Sequence, residues 1–267
     1  MVDRQTILAL LLLGAGVSGG FALNGARAEP QGNCGNQGVT VLYGDPAELA
    51  EACGALADIV AYFRGIGIEV TPRITLRFAD RAIVRSAERA SVHGYFDGQQ
   101  AEITFYRKSQ VRPRGLPWSS ALAGSFLRHE LAHMAIWEAV RGGPVKLRPE
   151  WHEFIAYAVQ LDLMDPQLRR YVLNANTDVR PSESLLEINE FTSRMDPDTF
   201  AVTAYKTYLA QGAGTFVSQL LRGEIVPHPS CTPSLSCRVR YQTDDDYWIE
   251  LPCCRVDGNR PNAGLSS

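Results

Sequence analysis

The chain has 267 residues, with 45% hydrophobic and 21% charged side chains and a formal net charge of −3. That length is enough to bury a substantial core, in one large domain or two small ones. The composition is that of an ordinary globular protein, and the slight excess of acid excludes the basic footprint of a nucleic-acid binder.

The first 28 residues read differently from the rest. "MVDRQ" carries one arginine, "TILALLLLGAGV" is apolar, and "ARA" before Glu29 places small residues where a signal peptidase reads. This is the layout of a secretory signal peptide cleaved after Ala28. Its apolar stretch of about a dozen residues, interrupted by glycine, falls short of the ~20 needed to span a bilayer, so no stable membrane insertion is expected after cleavage. The mature protein is therefore expected to be exported, either periplasmic or secreted. Loss of Asp3, Arg4 and Arg27 takes the net charge from −3 to −4.

All six cysteines (34, 53, 231, 237, 253 and 254) lie in the mature part. An even count in an exported chain predicts disulfides, Cys34 with Cys53 and the remaining four among themselves. Adjacent Cys253 and Cys254 do not suit a bond to each other, given the separation and dihedral a disulfide demands. No Cys-x-x-Cys pair is present to favour a zinc ribbon.

In chain order, "GVTVLYG" (38–44) reads as a strand closed by glycine. A helix follows from Asp45 as N-cap and Pro46 at its first position to Gly65, with Leu49, Cys53, Leu56, Ile59, Val60 and Phe63 recurring at three and four. "EVTPRITLRFAD" alternates as a strand after Pro72, and "VHGYFDGQQAEITFY" reads as a hairpin turning at "DGQ", with Ile103 and Phe105 on one face. "SSALAGSFLRHELAHMAIWEAVRGG" is a helix capped by Ser119 or Ser120 and ended by Gly142 and Gly143. After Pro149, "EWHEFIAYAVQLDLM" is helical again, and "DPQLRRYVLNAN" reads as a short third helix. "DPDTFAVTAYKTYLAQG" and "GAGTFVSQLLRGE" read as two more, each starting at a cap and ending at glycine. From Pro227 the chain is rich in Pro, Ser, Cys and Asp and reads as a disulfide-held tail. Strands first and helices after argue an α+β class, with a small N-terminal sheet or hairpin and a mainly helical C-terminal part.

One stretch carries chemistry. In "FLRHELAHMAIWEAV" (126–140), His129 and His133 are four residues apart, about 400° on an α-helix, so their imidazoles share one face and can chelate a single ion. Glu130 is turned by ~100° to the flank, where a carboxylate can take a proton from a metal-bound water. The surrounding Phe126, Leu127, Leu131, Ala132, Met134, Ala135 and Ile136 make these three polar residues the exception on a buried helix. Zinc suits such a site because two histidines and one carboxylate leave a coordination position open. For the third ligand, Glu153 lies twenty residues after His133 on the next predicted helix; its rivals are His152, one residue away and facing elsewhere, and Glu150, a first-turn acid.

At "HELAH" and "EWHEFIAY" the chain resembles the gluzincins, the thermolysin-like zinc metallopeptidases, and it is similar to exported bacterial proteins of unknown function that carry a zincin domain. The resemblance implies His129, His133 and Glu153 as zinc ligands, Glu130 as general base, and a peptide or protein as substrate. It departs from related peptidases at Phe154, where a glycine often follows the glutamate ligand. It extends loosely over residues 38 to 225, and the implied zincin-like domain spans 29–226, with 227–267 as the Cys-rich tail. The same resemblance places the helix bearing Tyr205 and Tyr208 over the site and implies Tyr205 as the donor to a developing oxyanion, against the alternative of aromatic core packing. His93, beside the hairpin, is a further candidate to line the cleft. No Gly-x-Ser-x-Gly elbow or phosphate-binding loop offers other chemistry. The competing reading is a non-catalytic zincin-like domain that binds a partner in the envelope; the presence of Glu130 weighs against it.

Overall fold

The computed structural model describes residues 29–35, 38–79, 93–107 and 116–225, together with the backbone of two strands at 233–242 and 248–254. The signal-peptide reading of residues 1–28 lies outside the described residues.

The element order is β1 (Gln31–Asn33), β2 (Thr40–Leu42), α1 (Pro46–Gly65), β3 (Thr75–Ala79), β4 (Gly94–Asp97), β5 (Glu102–Tyr106), α2 (Ser120–Val140), α3 (Pro149–Asp162), α4 (Pro166–Asn174), a 3-10 turn (Leu185–Glu187), α5 (Glu190–Met195), α6 (Pro197–Ala210), α7 (Gly214–Arg222), β6 (Pro233–Gln242) and β7 (Trp248–Cys254). The class is α+β, as expected. The N-terminal sheet is larger than a hairpin. Five strands run in the order β1-β2-β3-β5-β4; β2, β3 and β5 are parallel, and antiparallel β1 and β4 close the two edges. Parallel neighbours need a crossover, and α1 supplies it between β2 and β3.

Local chemistry explains where the elements begin and end. Asp45 and Glu48 form a reciprocal capping box at the start of α1, with Pro46 where a missing N–H costs nothing. Ser119 caps α2 through the Leu122 amide, and Gly142 (φ +77°) supplies the left-handed residue just beyond its end. α7 departs from the expectation of a capped start. Its N-cap is Ala213 at φ +56°, with no side-chain cap, and only its C-terminal Gly223 (φ +72°) follows the expected pattern.

The core lies where the sheet meets α1 and α2. Val41, Leu76, Phe78, Ile103 and Phe105 point from the strands into it, and Leu56, Ile59 and Phe63 meet them from α1. The same core continues between the helices, where α3 packs against α2 and α6 through Trp151, Phe154, Ile155, Val159, Ala201 and Val202. α2 thus has packing partners on several sides, which explains why almost its whole middle is buried. The Cys34–Cys53 disulfide joins the chain between β1 and β2 to α1. β6 and β7 form a two-stranded antiparallel sheet of their own within the segment read as a tail. The expected bonding among its four cysteines lies outside the described side chains. No helix among the described residues is long and apolar enough to cross a membrane.

Candidate metal centre

α2 and α3 pack as an antiparallel pair, and their contacts run down the two sequences in opposite directions. Ser125 meets Gln160, whose amide Nε2 donates to the Ser125 hydroxyl at 3.2 Å. One turn on, the His129 ring lies 4.4 Å from that of Tyr157. One further turn brings His133 to Glu153. Positions 125, 129 and 133 share one face of α2 by their spacing of four, and 153, 157 and 160 share one face of α3. The Ser125–Gln160 bond is fully buried, where a missed partner costs most. It helps hold the register that brings Glu153 to the histidines.

His129, His133 and Glu153 place their donor atoms within 4.8 Å of one another. The two Nε2 atoms are 3.1 Å apart, and the Glu153 carboxylate stands 3.4 Å from each of them. Oε2 of Glu153 faces His129 and Oε1 faces His133. Donors bound at 2.0–2.1 Å to one tetrahedral ion are about 3.3 Å apart, so each of these separations suits donors gathered around one ion. The arrangement matches the zinc-binding His-Glu-x-x-His motif of metallopeptidases, completed by a distant glutamate. It can hold a divalent cation.

The electrostatics agree with that geometry. Burial pushes the Glu153 carboxyl up, but the charge of His133 and hydrogen bonds from both histidines outweigh it and hold the group well below its usual range. Burial lowers His133, yet the charge and hydrogen bond of Glu153, helped by Glu130, raise it overall. The site therefore keeps an ionised carboxylate facing two imidazoles.

Glu130 sits beside this triangle, buried. Desolvation pushes its carboxyl up to about 7; His133 opposes the shift and Glu153 adds to it. β4 covers it closely. A Cβ at Gly94 would stand 2.8 Å from Glu130 Cγ and 3.1 Å from the Thr104 carbonyl oxygen, so only glycine lets the strand pass here.

The cleft in front of these groups has a volume of about 1140 Å³. Its walls include β4 through Gly94, Tyr95 and Phe96, α2 through Trp137 and Arg141, and α3 through His152 and Tyr157. His93 is on the wall as well, its ring 4.2 Å from Phe126. His152 lies outside the three-donor cluster, with its ring 6.5 Å from that of His133; burial and the charge of His133 lower its pKa to about 4, leaving it neutral near pH 7. Glu150 is buried elsewhere and pairs with Arg148 at 2.9 Å.

The structure does not bring Tyr205 to the cleft. Its ring stacks 5.9 Å from Tyr208, whose hydroxyl bonds to Tyr62 and to Asp162, each at 3.2 Å. The phenols that line the cleft are Tyr95 and Tyr157. Trp137 faces the cleft, whereas Trp151 is fully buried. The sequence reading gave no role to Gly94. A glycine at the start of a strand does not announce what lies beneath it, whereas the place of Tyr157, one helical turn beyond Glu153, puts it on the same helix face.

Comparison with curated proteins and with solved structures gave no match. Residues 39–230, which include the whole metal centre and both helices that carry it, match the family described as "Family of unknown function (DUF6639)", and the chain belongs to that family.

Proposed function

We propose that this protein is an exported zinc-dependent hydrolase that cleaves peptide bonds. The observation that carries the reading is the donor triangle of His129, His133 and Glu153, with a buried carboxylate at its side and an open cleft before it. A site built only to bind a structural ion would want a fourth protein ligand and has no use for a base. Here the described cluster ends at three donors, and Glu130 stands ready as the base.

His129, His133 and Glu153 would hold the ion. Zinc bound there supplies a Lewis acid that polarises a carbonyl and makes a neighbouring water more acidic. Glu130 takes the proton from that water as it attacks and returns it to the leaving amine. Its burial beside the donors, which raises the carboxyl in the metal-free site, leaves it close to the reacting groups to take and return that proton. Among the described residues β4 is the edge of its sheet, so its outer backbone groups can pair with an extended substrate and align it along α2. Export rests on the signal-peptide pattern of residues 1–28 and on the disulfide, which belongs to oxidising compartments.

The test is Glu130→Gln. The variant is expected to keep its zinc and lose hydrolysis of a mixed peptide library by at least about a hundredfold, as removal of a general base does. Unchanged hydrolysis would contradict the role of Glu130. A zinc-loaded wild type that cleaves no peptide would favour the partner-binding reading.

A further inference from the structure

Among its described lining residues the cleft has one permanently basic side chain, Arg141, and the mechanism above does not use it. It ends the row that organises α2. His129, His133, Trp137 and Arg141 are spaced by four, and all of them line the cleft. Each step of four advances about 6 Å along a helix, so Arg141 lies about 12 Å beyond His133.

The arginine is held on a built shelf. Its guanidinium carbon is 4.4 Å from the centroid of the Trp137 ring. That ring is fixed in turn by β4 and its turn: Phe96 meets it edge-on at 5.8 Å, and Gly98 lies so close that a Cβ there would stand 2.7 Å from the indole Nε1. Stacking covers one face of the guanidinium and leaves its N–H edges free to meet a carboxylate in the bidentate manner arginine favours. Among the described residues no carboxylate pairs with it. The two acids of the cleft are engaged at the metal centre, Glu153 between the imidazoles and Glu130 beneath Gly94.

We infer that Arg141, positioned on Trp137, is a specificity residue that selects substrates with an acidic side chain three or four residues from the scissile bond. The spacing follows from 12 Å at about 3.3 Å per residue of extended chain. The direction follows from β4, which runs from Gly94 over Glu130 to the turn at Trp137. A substrate paired antiparallel to it has its N-terminal part at Arg141, so the acidic residue precedes the cleaved bond. The inference rests on the peptidase reading for its register, but acidic recognition has its own readout in binding.

The experiment uses two sets of blocked alanine–leucine decapeptides, one with a single glutamine moved through the sequence and one with glutamate in its place. Binding is measured by calorimetry on zinc-loaded Glu130→Gln protein, and cleavage positions are read by mass spectrometry with the wild type. Glutamate peptides are expected to bind roughly fivefold more tightly than their glutamine partners at low salt, the upper range for a pair on an exposed rim. The advantage should shrink as salt rises, vanish with Arg141→Gln added, and pass to lysine peptides with Arg141→Glu. Equal binding of the two sets, binding of neither, or a preference that survives Arg141→Gln would overturn the inference. A glutamate preference without cleavage by the wild type would instead overturn the peptidase reading and leave the acidic selectivity of Arg141 standing.

Discussion

At the scale of single residues, the site depends on how closely Gly94 approaches Glu130. A methyl group at position 94 meets Glu130 Cγ on one side and a backbone carbonyl on the other, so the strand has no direction in which to yield. Gly94→Ala should displace the carboxylate by a fraction of an ångström to an ångström and lower kcat about a hundredfold, with the zinc content unchanged. Wild-type kcat in that variant would show that the approach does not position the base. Glu130 also makes a pH prediction. In metal-free native protein its carboxyl is pushed up to about 7 by burial, with the charge of Glu153 adding to the shift and His133 opposing it. The unfolded chain releases the same proton near 4.5. The folded state thus holds a proton that the unfolded state lacks, so this contribution to stability is full below about 4.5 and is lost as pH rises through 7. Glu130→Gln lacks the term. Melting curves of the two metal-free proteins from pH 5 to 8 should diverge in favour of the variant, on the order of 2 kcal/mol at the upper end. Parallel curves would contradict a buried, raised Glu130.

At the scale of elements, the antiparallel register of α2 and α3 builds the centre, and much of it was legible. The spacing of four within "HELAH", the cap at Ser119 and the glycines after Val140 describe α2 in local terms, and Pro149 opens α3. Local chemistry was enough there because helix periodicity and caps act within a few residues. β1 could not be read from Gln31, Gly32 and Asn33, three residues of low strand propensity that are ordered by pairing with β2. Neither could α5, only six residues long, nor the parallel alignment of β2, β3 and β5, which arises from contacts far apart in sequence. The cleft-facing row of Trp137 and Arg141 was hidden for the same reason, since the spacing of a tryptophan does not say whether its face meets core or substrate. The Cys34–Cys53 pairing was expected from clustering and is present. It closes a loop across 19 residues, and the double Cys34→Ser, Cys53→Ser variant should lose about 3 kcal/mol of unfolding free energy in denaturant titration. A loss near zero would mean the β1–β2 connection is held by other contacts.

At the scale of the whole molecule, the sheet and the helices divide the work. The sheet presents β4 as an edge beside the cleft, α2 and α3 supply the donor triangle, and α6 backs α3 from the far side. The α+β class and the helical C-terminal half followed from the order of the elements. The pairing of β6 with β7 within the Cys-rich segment did not, because proline, serine and cysteine mask strand periodicity there. The resemblance to the gluzincins and the donor geometry agree on the same three residues, His129, His133 and Glu153. The measurement that bears most directly on this is zinc per chain by elemental analysis, on mature protein made in an oxidising compartment without added metal. About one zinc per chain is expected, retained in Glu130→Gln and lost in His133→Ala and in Glu153→Ala. No zinc in the wild type, with none taken up on titration, or zinc that survives both ligand substitutions, would contradict the centre described here.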